Sequence, residues 1–277
     1  MDNTTQTQPV SGPPAGDQPV SFINKAAQLL DQLFIDMGLF ALFTTRFFKE
    51  VFKPPYEPKE FLKQCFMVGN KSLPLVGLTA LIMGLVFTLQ SGPTLAKFGA
   101  QSWLPAMVAI AMIREIAPVI TALICAGKVG SGIGAELDSM RVTEQIDAME
   151  VSGNRPFKYI VVTRVMAITL MLPVLAVFSD FIGLTGSFVG VNLLGDTSLL
   201  SFLSHIFQKL DFIDVFPAVI KTFFFGFAIG IISCYKGYNA TNGTAGVGVA
   251  ANTSVVIASV AIFIIDMLVV QLAHFFT

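Results

Sequence analysis

The chain has 277 residues, 54% of them apolar and only 13% charged, with a formal net charge of −1. So little polar surface cannot cover a water-soluble globule, which makes the bilayer the expected solvent and sets soluble enzymes far behind. A near-zero charge without a lysine or arginine block leaves no footprint for nucleic acid.

Residues 1–20 hold Pro, Gly, Thr, Gln and Ser with almost no large apolar residue, which predicts a disordered tail; a signal peptide would need the apolar centre this segment lacks. From 21 to 53, Ala26, Leu30, Leu33, Met37 and Phe40 recur at helical spacing, while Lys25, Gln28, Gln32 and Asp36 fall on another side. That pattern predicts an amphipathic helix lying in the membrane interface. Pro54, Pro55 and Pro58 stop it, and the chain is expected to turn toward the bilayer near Lys71.

About 20 apolar residues cross a hydrocarbon core of roughly 30 Å. The first such span is expected at 72–91, closed by a Gly92-Pro93 turn, with Trp103 in the next loop as an interfacial aromatic. A second follows at 104–130, then the polar interval from Asp138 to Lys158. The third, 165–190, belongs to an apolar stretch reaching Gly195, long enough to require a tilt or a break near Pro173 or Gly183. A fourth is expected at 215–235, a Gly/Asn/Thr loop at 236–252 and a fifth span at 254–275. The fold class is therefore an all-α integral membrane protein, with about five transmembrane helices after an interfacial one.

Basic residues mark the cytoplasmic side. Arg46, Lys49, Lys53, Lys59, Lys63 and Lys71 precede the first span, and Lys128, Arg141, Arg155, Lys158 and Arg164 flank the interval between the second and third. The opposite loops carry Lys97 and Lys209. The amino end is thus expected in the cytoplasm and the carboxyl end outside. Cys65, Cys125 and Cys234 are far apart, without metal-ligand spacing, and read as small apolar fillers.

Gly130 with Gly134, Gly186 with Gly190, and Gly226 with Gly230 are four residues apart, a spacing that lets helix backbones approach closely within one chain or across a homodimer. Charges within the spans carry more information. Arg114, Glu115, Asp180, Lys221 and Asp266 each incur about 2.5 kcal/mol or more at a bilayer centre. Either they line a polar pathway or they pair as salt bridges between helices. Arg114 and Glu115, adjacent in sequence, diverge by roughly 100° on an ideal helix and need not pair with each other. Past the second span, Val142, Ile146 and Met149 form an apolar stripe beside the acidic Glu144, Asp147 and Glu150, on a short helix that Thr143 can cap and Gly153 can end. That helix is a solvated connector or a docking element for a partner.

The ordered string Arg114-Glu115-Ile116-Ala117-Pro118-Val119, Ala126-Gly127-Lys128-Val129-Gly130, Ala135-Glu136-Leu137, Met140-Arg141-Val142-Thr143-Glu144-Gln145-Ile146-Asp147-Ala148 and Arg164-Val165 closely resembles the signature of MlaE-type (YrbE-type) permeases. The resemblance runs from about Val51 to the carboxyl end. It implies the transmembrane subunit of an ABC transporter in the bacterial inner membrane, moving phospholipid or related lipid. It also implies a homodimer working with a cytoplasmic ATPase, an MCE-domain substrate-binding protein and often a STAS-domain protein. On that footing Thr143, Glu144, Gln145, Ile146, Asp147, Met149 and Glu150 belong to the helix that couples to the ATPase, and Arg114, Glu115, Lys221 and Asp266 to the lipid cavity. Gly246-Val247-Gly248 resembles the family's cytoplasmic loop before the last helix, and Val249 stands where many relatives carry arginine.

Catalytic and cofactor roles are not expected in this chain. Gly127-Lys128 is followed by Val129 rather than Ser or Thr, so no phosphate cradle is present and ATP is left to the partner. An ion-coupled secondary transporter would also place charges inside spans, but no internal repeat is visible. An intramembrane enzyme would need a nucleophile and base, and His205 and His274 stand alone near span ends.

Overall fold

The computed structural model describes residues 22–275 apart from 55, 196, 241 and 242. The expected disordered tail lies outside the described residues. Two compact units divide at Phe43 and Thr44. The first holds most of α1 (Phe22–Val51), a single helix whose Phe34, Ile35, Met37, Leu39 and Leu42 are exposed. The second holds everything else, and among the described residues it is helical throughout, with five helices long and apolar enough to cross a membrane.

Those helices are longer than their apolar runs. α2 (Pro58–Lys97) has 40 residues and is about 60 Å long at 1.5 Å per residue, twice a hydrocarbon core. The apolar run gives the part that lipid can cover, whereas helix ends are set by local signals. Pro58 opens α2 at its first turn, where the missing N–H has no partner to lose. The chain does not turn at Gly92-Pro93. The helix continues through Pro93, as membrane helices tolerate, and ends at Lys97, two residues before Gly99, whose φ of +67° a side chain would strain. Gly92 is instead a packing position, where a methyl group would overlap Leu194.

The second crossing, Gln101–Val142, is one helical rod made of α3 (Leu104–Ala111), α4 (Ala117–Cys125) and α5 (Ser131–Val142), joined by π-helical turns at Met112–Ile116 and Ala126–Gly130. It passes the expected end at 130 by twelve residues, to Val142, so Asp138 is a buried helix residue rather than the start of a loop. Next come α6 (Gln145–Val151), a third π-helical turn at Phe157–Val162, and α7 (Thr163–Leu194). The last two are continuous, so the apolar stretch breaks at neither Pro173 nor Gly183. Gly183 serves close packing, for a side chain there would overlap Met112.

α8 (Leu199–Phe207) was not legible as an element in the span pattern; Ser198 caps it through a hydrogen bond from Ser201 N–H. It docks on α7 through an edge-to-face contact of Phe202 with Phe188. Trp103 is exposed nearby, with the Lys209 ammonium 4.6 Å from its ring centre. α9 (Phe212–Tyr238) and α10 (Gly243–Phe275) are separated by residues 239–242, so the expected loop of 236–252 is mostly helix. Gly246-Val247-Gly248 belongs to α10 rather than to a loop before it, and Val249 is an exposed residue of its second turn.

α2 and α7 share the most extensive helix contact, followed by α7 with α9 and α9 with α10. Small residues make these approaches possible. Gly186 lies against the Leu81 backbone of α2, and a Cβ at Gly190 would come within 2.8 Å of Thr88 Cβ. Gly226 and Gly230 face Ile168, Thr169 and Val165 of α7 at similar range. Gly130 meets Ser233 of α9, and Gly134 meets Ser254 of α10. All three pairs therefore pack helices of the same chain. Thr88 Oγ1 and Ser187 Oγ, 2.9 Å apart and buried, add a polar contact across α2 and α7.

Candidate functional site

The membrane-embedded charges gather where the first π-helical turn meets α9 and α10. Pro118 has no N–H to offer the carbonyl of Arg114, four residues back, and the turn before it widens: Ala117 N–H reaches the carbonyl of Met112, five residues back. Arg114 and Glu115 sit on this turn and take separate partners on α9, two turns apart. Arg114 pairs with Asp214, and Glu115 accepts from Lys221 Nζ at 2.7 Å.

Lys221 is the centre of a triad. Its ammonium, 3% exposed, also donates to Asp266 Oδ1 of α10 at 2.9 Å. Two carboxylates on one ammonium tie three crossings together, and Glu115 stays about half exposed on the flank of the chain. Of the four residues assigned to a cavity, three are thus brought together, and Arg114 stands apart at the neighbouring pair.

Asp214 was missed in the sequence. It is buried, at 4% side-chain exposure, and does two tasks: Oδ1 takes Arg114 while Oδ2 accepts the backbone N–H of Asp211, closing a capping box at the start of α9. The Asp211-x-x-Asp214 spacing before an apolar run was the available signal. A second missed pair joins Arg164 of α7, buried, to Glu136 of α5 at 2.7 Å. Lys128 Nζ reaches the Lys71 carbonyl, which fixes the level of α2 against the second crossing. Asp180 stays inside unbroken α7, facing Ile113, Pro118, Ala176, Val215 and Ala218, and its Oδ1 has no hydrogen-bond partner.

α6 differs from its expected form. Thr143 does not cap it, because its hydroxyl donates to the Ser139 carbonyl and finishes α5. The cap position falls to Glu144, in a left-handed conformation at φ 58°, and Arg141 bridges the corner to Asp147 at 2.6 Å. Gly153, at φ +78°, ends the helix, its N–H bonding the Glu150 carbonyl. Within the stripe, Ile146 is fully buried in its own chain while Val142 and Met149 are partly covered. The outward face consists of Gln145, Asp147, Ala148, Glu150 and Val151, the last 90% exposed. Replacing Ile146 with Asp buries an unpaired carboxylate and is expected to destabilise α6 itself.

Long apolar helices, close glycine contacts and charges neutralised between crossings define a polytopic helical membrane protein with a polar network in its interior. The profile of the permease MlaE family matches residues 61–272, and the chain belongs to that family. Its relatives include a probable ABC transporter permease protein of Rickettsia typhi, 38% identical over 85% of this chain and 91% of that one. One from Synechocystis is 37% identical over 80% and 84%, and one from Porphyra purpurea 38% identical over 70% and 74%.

Proposed function

We propose that this chain is the transmembrane subunit of an ABC transporter that moves phospholipid or a related lipid, driven by a separate cytoplasmic ATPase. The observation that carries the reading is the family match together with the ion network of Glu115, Lys221 and Asp266. A charged cluster held between apolar helices suits a headgroup, and exposed Val256, Val260, Phe263, Ile264, Met267 and Leu268 on α10 suit acyl chains or a second copy. In this reading two copies form the lipid path, an MCE-domain protein exchanges lipid outside, and a STAS-domain protein sits beside the ATPase. The reading sets the amino end and α6 in the cytoplasm and the carboxyl end outside, in the bacterial inner membrane, and the distribution of basic residues supports it.

α6 is the coupling helix of this arrangement, and its outward face meets the ATPase. The test is co-purification with a co-expressed ATPase. Val151→Asp, at a site 90% exposed, should leave the stability of the permease within about 0.5 kcal/mol of wild type while lowering ATPase recovery severalfold. Full recovery with Val151→Asp removes α6 from the interface, and lipid transport by the chain alone in liposomes without nucleotide overturns the whole reading.

The headgroup role has its own test. Glu115→Gln keeps an acceptor for Lys221 and removes one charge, so assembly should survive while photo-crosslinking of lipid within the purified transporter falls. Unchanged crosslinking takes Glu115 out of the lipid path.

A further inference from the structure

Where α2 begins, two cavities meet along the side chain of Lys158. One, of about 570 Å³, has mixed polar and apolar walls and is lined by Glu57, Met149, Asn154, Arg155, Lys158 and Tyr159. The other, of about 290 Å³, is almost wholly apolar, with walls from Val51, Tyr56, Phe61, Val162 and Met166, and it shares Glu57 and Lys158 with the first. Lys158 is 5% exposed, and its ammonium has no hydrogen-bond partner. The centre of the Tyr56 ring lies 4.9 Å from it. A ring face attracts a cation but leaves its three N–H donors unused, and an ammonium in that state favours any anion that can reach it.

Arg155 supplies a second cation on the same wall, exposed and shaped for bidentate contact with phosphate. Glu57 on the rim offsets one of the two charges, and the Tyr159 hydroxyl is already engaged with Glu60 at 3.3 Å. The remaining unit of positive charge matches a monoanion. A free phosphate would use only the first cavity. The contiguous apolar groove, beside exposed Tyr56, Leu62 and Phe66, calls for a ligand that carries a hydrocarbon chain with its anion.

We propose that this composite cavity binds an anionic phospholipid of the surrounding bilayer, its phosphate between Lys158 and Arg155 and one acyl chain in the groove against Phe61 and Met166. The site is separate from the network around Lys221, and it stands whether or not the transported substrate is a lipid. Basic pockets at the ends of membrane helices are suited to such headgroups.

The test uses the full chain, purified in a neutral maltoside detergent and titrated with dioleoyl phosphatidylglycerol, with native mass spectrometry and the thermal midpoint as readouts. Phosphatidylglycerol should give discrete adducts and raise the midpoint, while phosphatidylcholine and inorganic phosphate at equal concentration should not. Arg155→Gln, at an exposed position, should weaken phosphatidylglycerol binding about fivefold. Lys158→Gln should weaken it further, and Met166→Trp, which fills the groove, should do the same without touching either cation. Equal binding of phosphatidylcholine overturns the proposal, as does a midpoint rise reproduced in full by inorganic phosphate. Unchanged lipid binding by Arg155→Gln combined with loss of the co-expressed ATPase assigns the pocket to a protein partner and likewise overturns it.

Discussion

Lys221→Met is expected to lower the unfolding midpoint of the detergent-solubilised protein by about 10 °C. Glu115 and Asp266 both lose the ammonium that neutralises them, at 2.7 and 2.9 Å. Removing one partner of a buried ion pair costs about 3–5 kcal/mol, since the remaining charge keeps its desolvation penalty and loses its compensation. For a chain of this size each kcal/mol corresponds to about 2–4 °C. The half-exposed side of Glu115 lets solvent or detergent headgroups relieve part of the loss, which sets the expectation near the lower part of that product. The decisive comparison is the triple variant Lys221→Met, Glu115→Gln, Asp266→Asn. If the destabilisation comes from orphaned carboxylates, neutralising both restores most of the midpoint. A triple variant as unstable as the single one would show that the lysine stem matters for packing and that the charges do not. The same variant separates structure from transport: a stable triple variant that lacks the proposed lipid transport assigns the charges to that proposed role.

Much of this was legible in the sequence, for a physical reason. The bilayer requires long apolar runs, so five crossings could be located, and it penalises charge, so Arg114, Glu115, Lys221 and Asp266 stood out before any geometry was known. Partner choice was not legible. Whether Glu115 meets Lys221 depends on the widened turn at Met112–Ile116 and on the approach of α9, and neither is encoded by local pattern. Asp214 was overlooked because it sits at a helix start, where a carboxylate looks like an ordinary cap; only the fold reveals its second task.

The helices extend beyond the expected spans. Apolar runs mark the part that lipid can cover, so every expected span was shorter than its helix, with the largest excess at the start of α2 and the end of α5. Proline misled at Gly92-Pro93, and at Pro173 the unbroken alternative holds, because inside a membrane bundle neighbouring helices hold the rod together across the lost hydrogen bond. The stripe expected of Val142, Ile146 and Met149 on one short helix is divided, because Val142 closes α5 and only Ile146 and Met149 belong to α6. Ile146 is buried in the chain's own core, which leaves Val151, outside the stripe, as the large apolar residue exposed on α6.

The α2 and α7 contact is where the smallest substitution should have the largest effect. A methyl group at Gly84 would overlap the backbone carbonyl of Gly183, and one at Gly186 would overlap the carbonyl of Leu81. Both obstacles are main chain inside long helices, so neither can swing aside as a flexible side chain could. The helices must separate along their whole contact, also stretching the buried contact of Thr88 with Ser187. Gly84→Ala and Gly186→Ala are therefore each expected to cost about 3 kcal/mol, the upper part of the range for overpacked cores, and to lower the midpoint by about 6–12 °C. Gly127→Ala and Gly132→Ala serve as internal controls: both glycines lie in helical segments with open space where the methyl would go, and alanine should leave the midpoint level or raise it slightly. Equal midpoints for Gly84→Ala and Gly132→Ala would mean that the two rods are not in backbone contact. A loss at Gly84 and Gly186 alone would locate the close approach that holds these crossings together, without requiring a second copy of the chain.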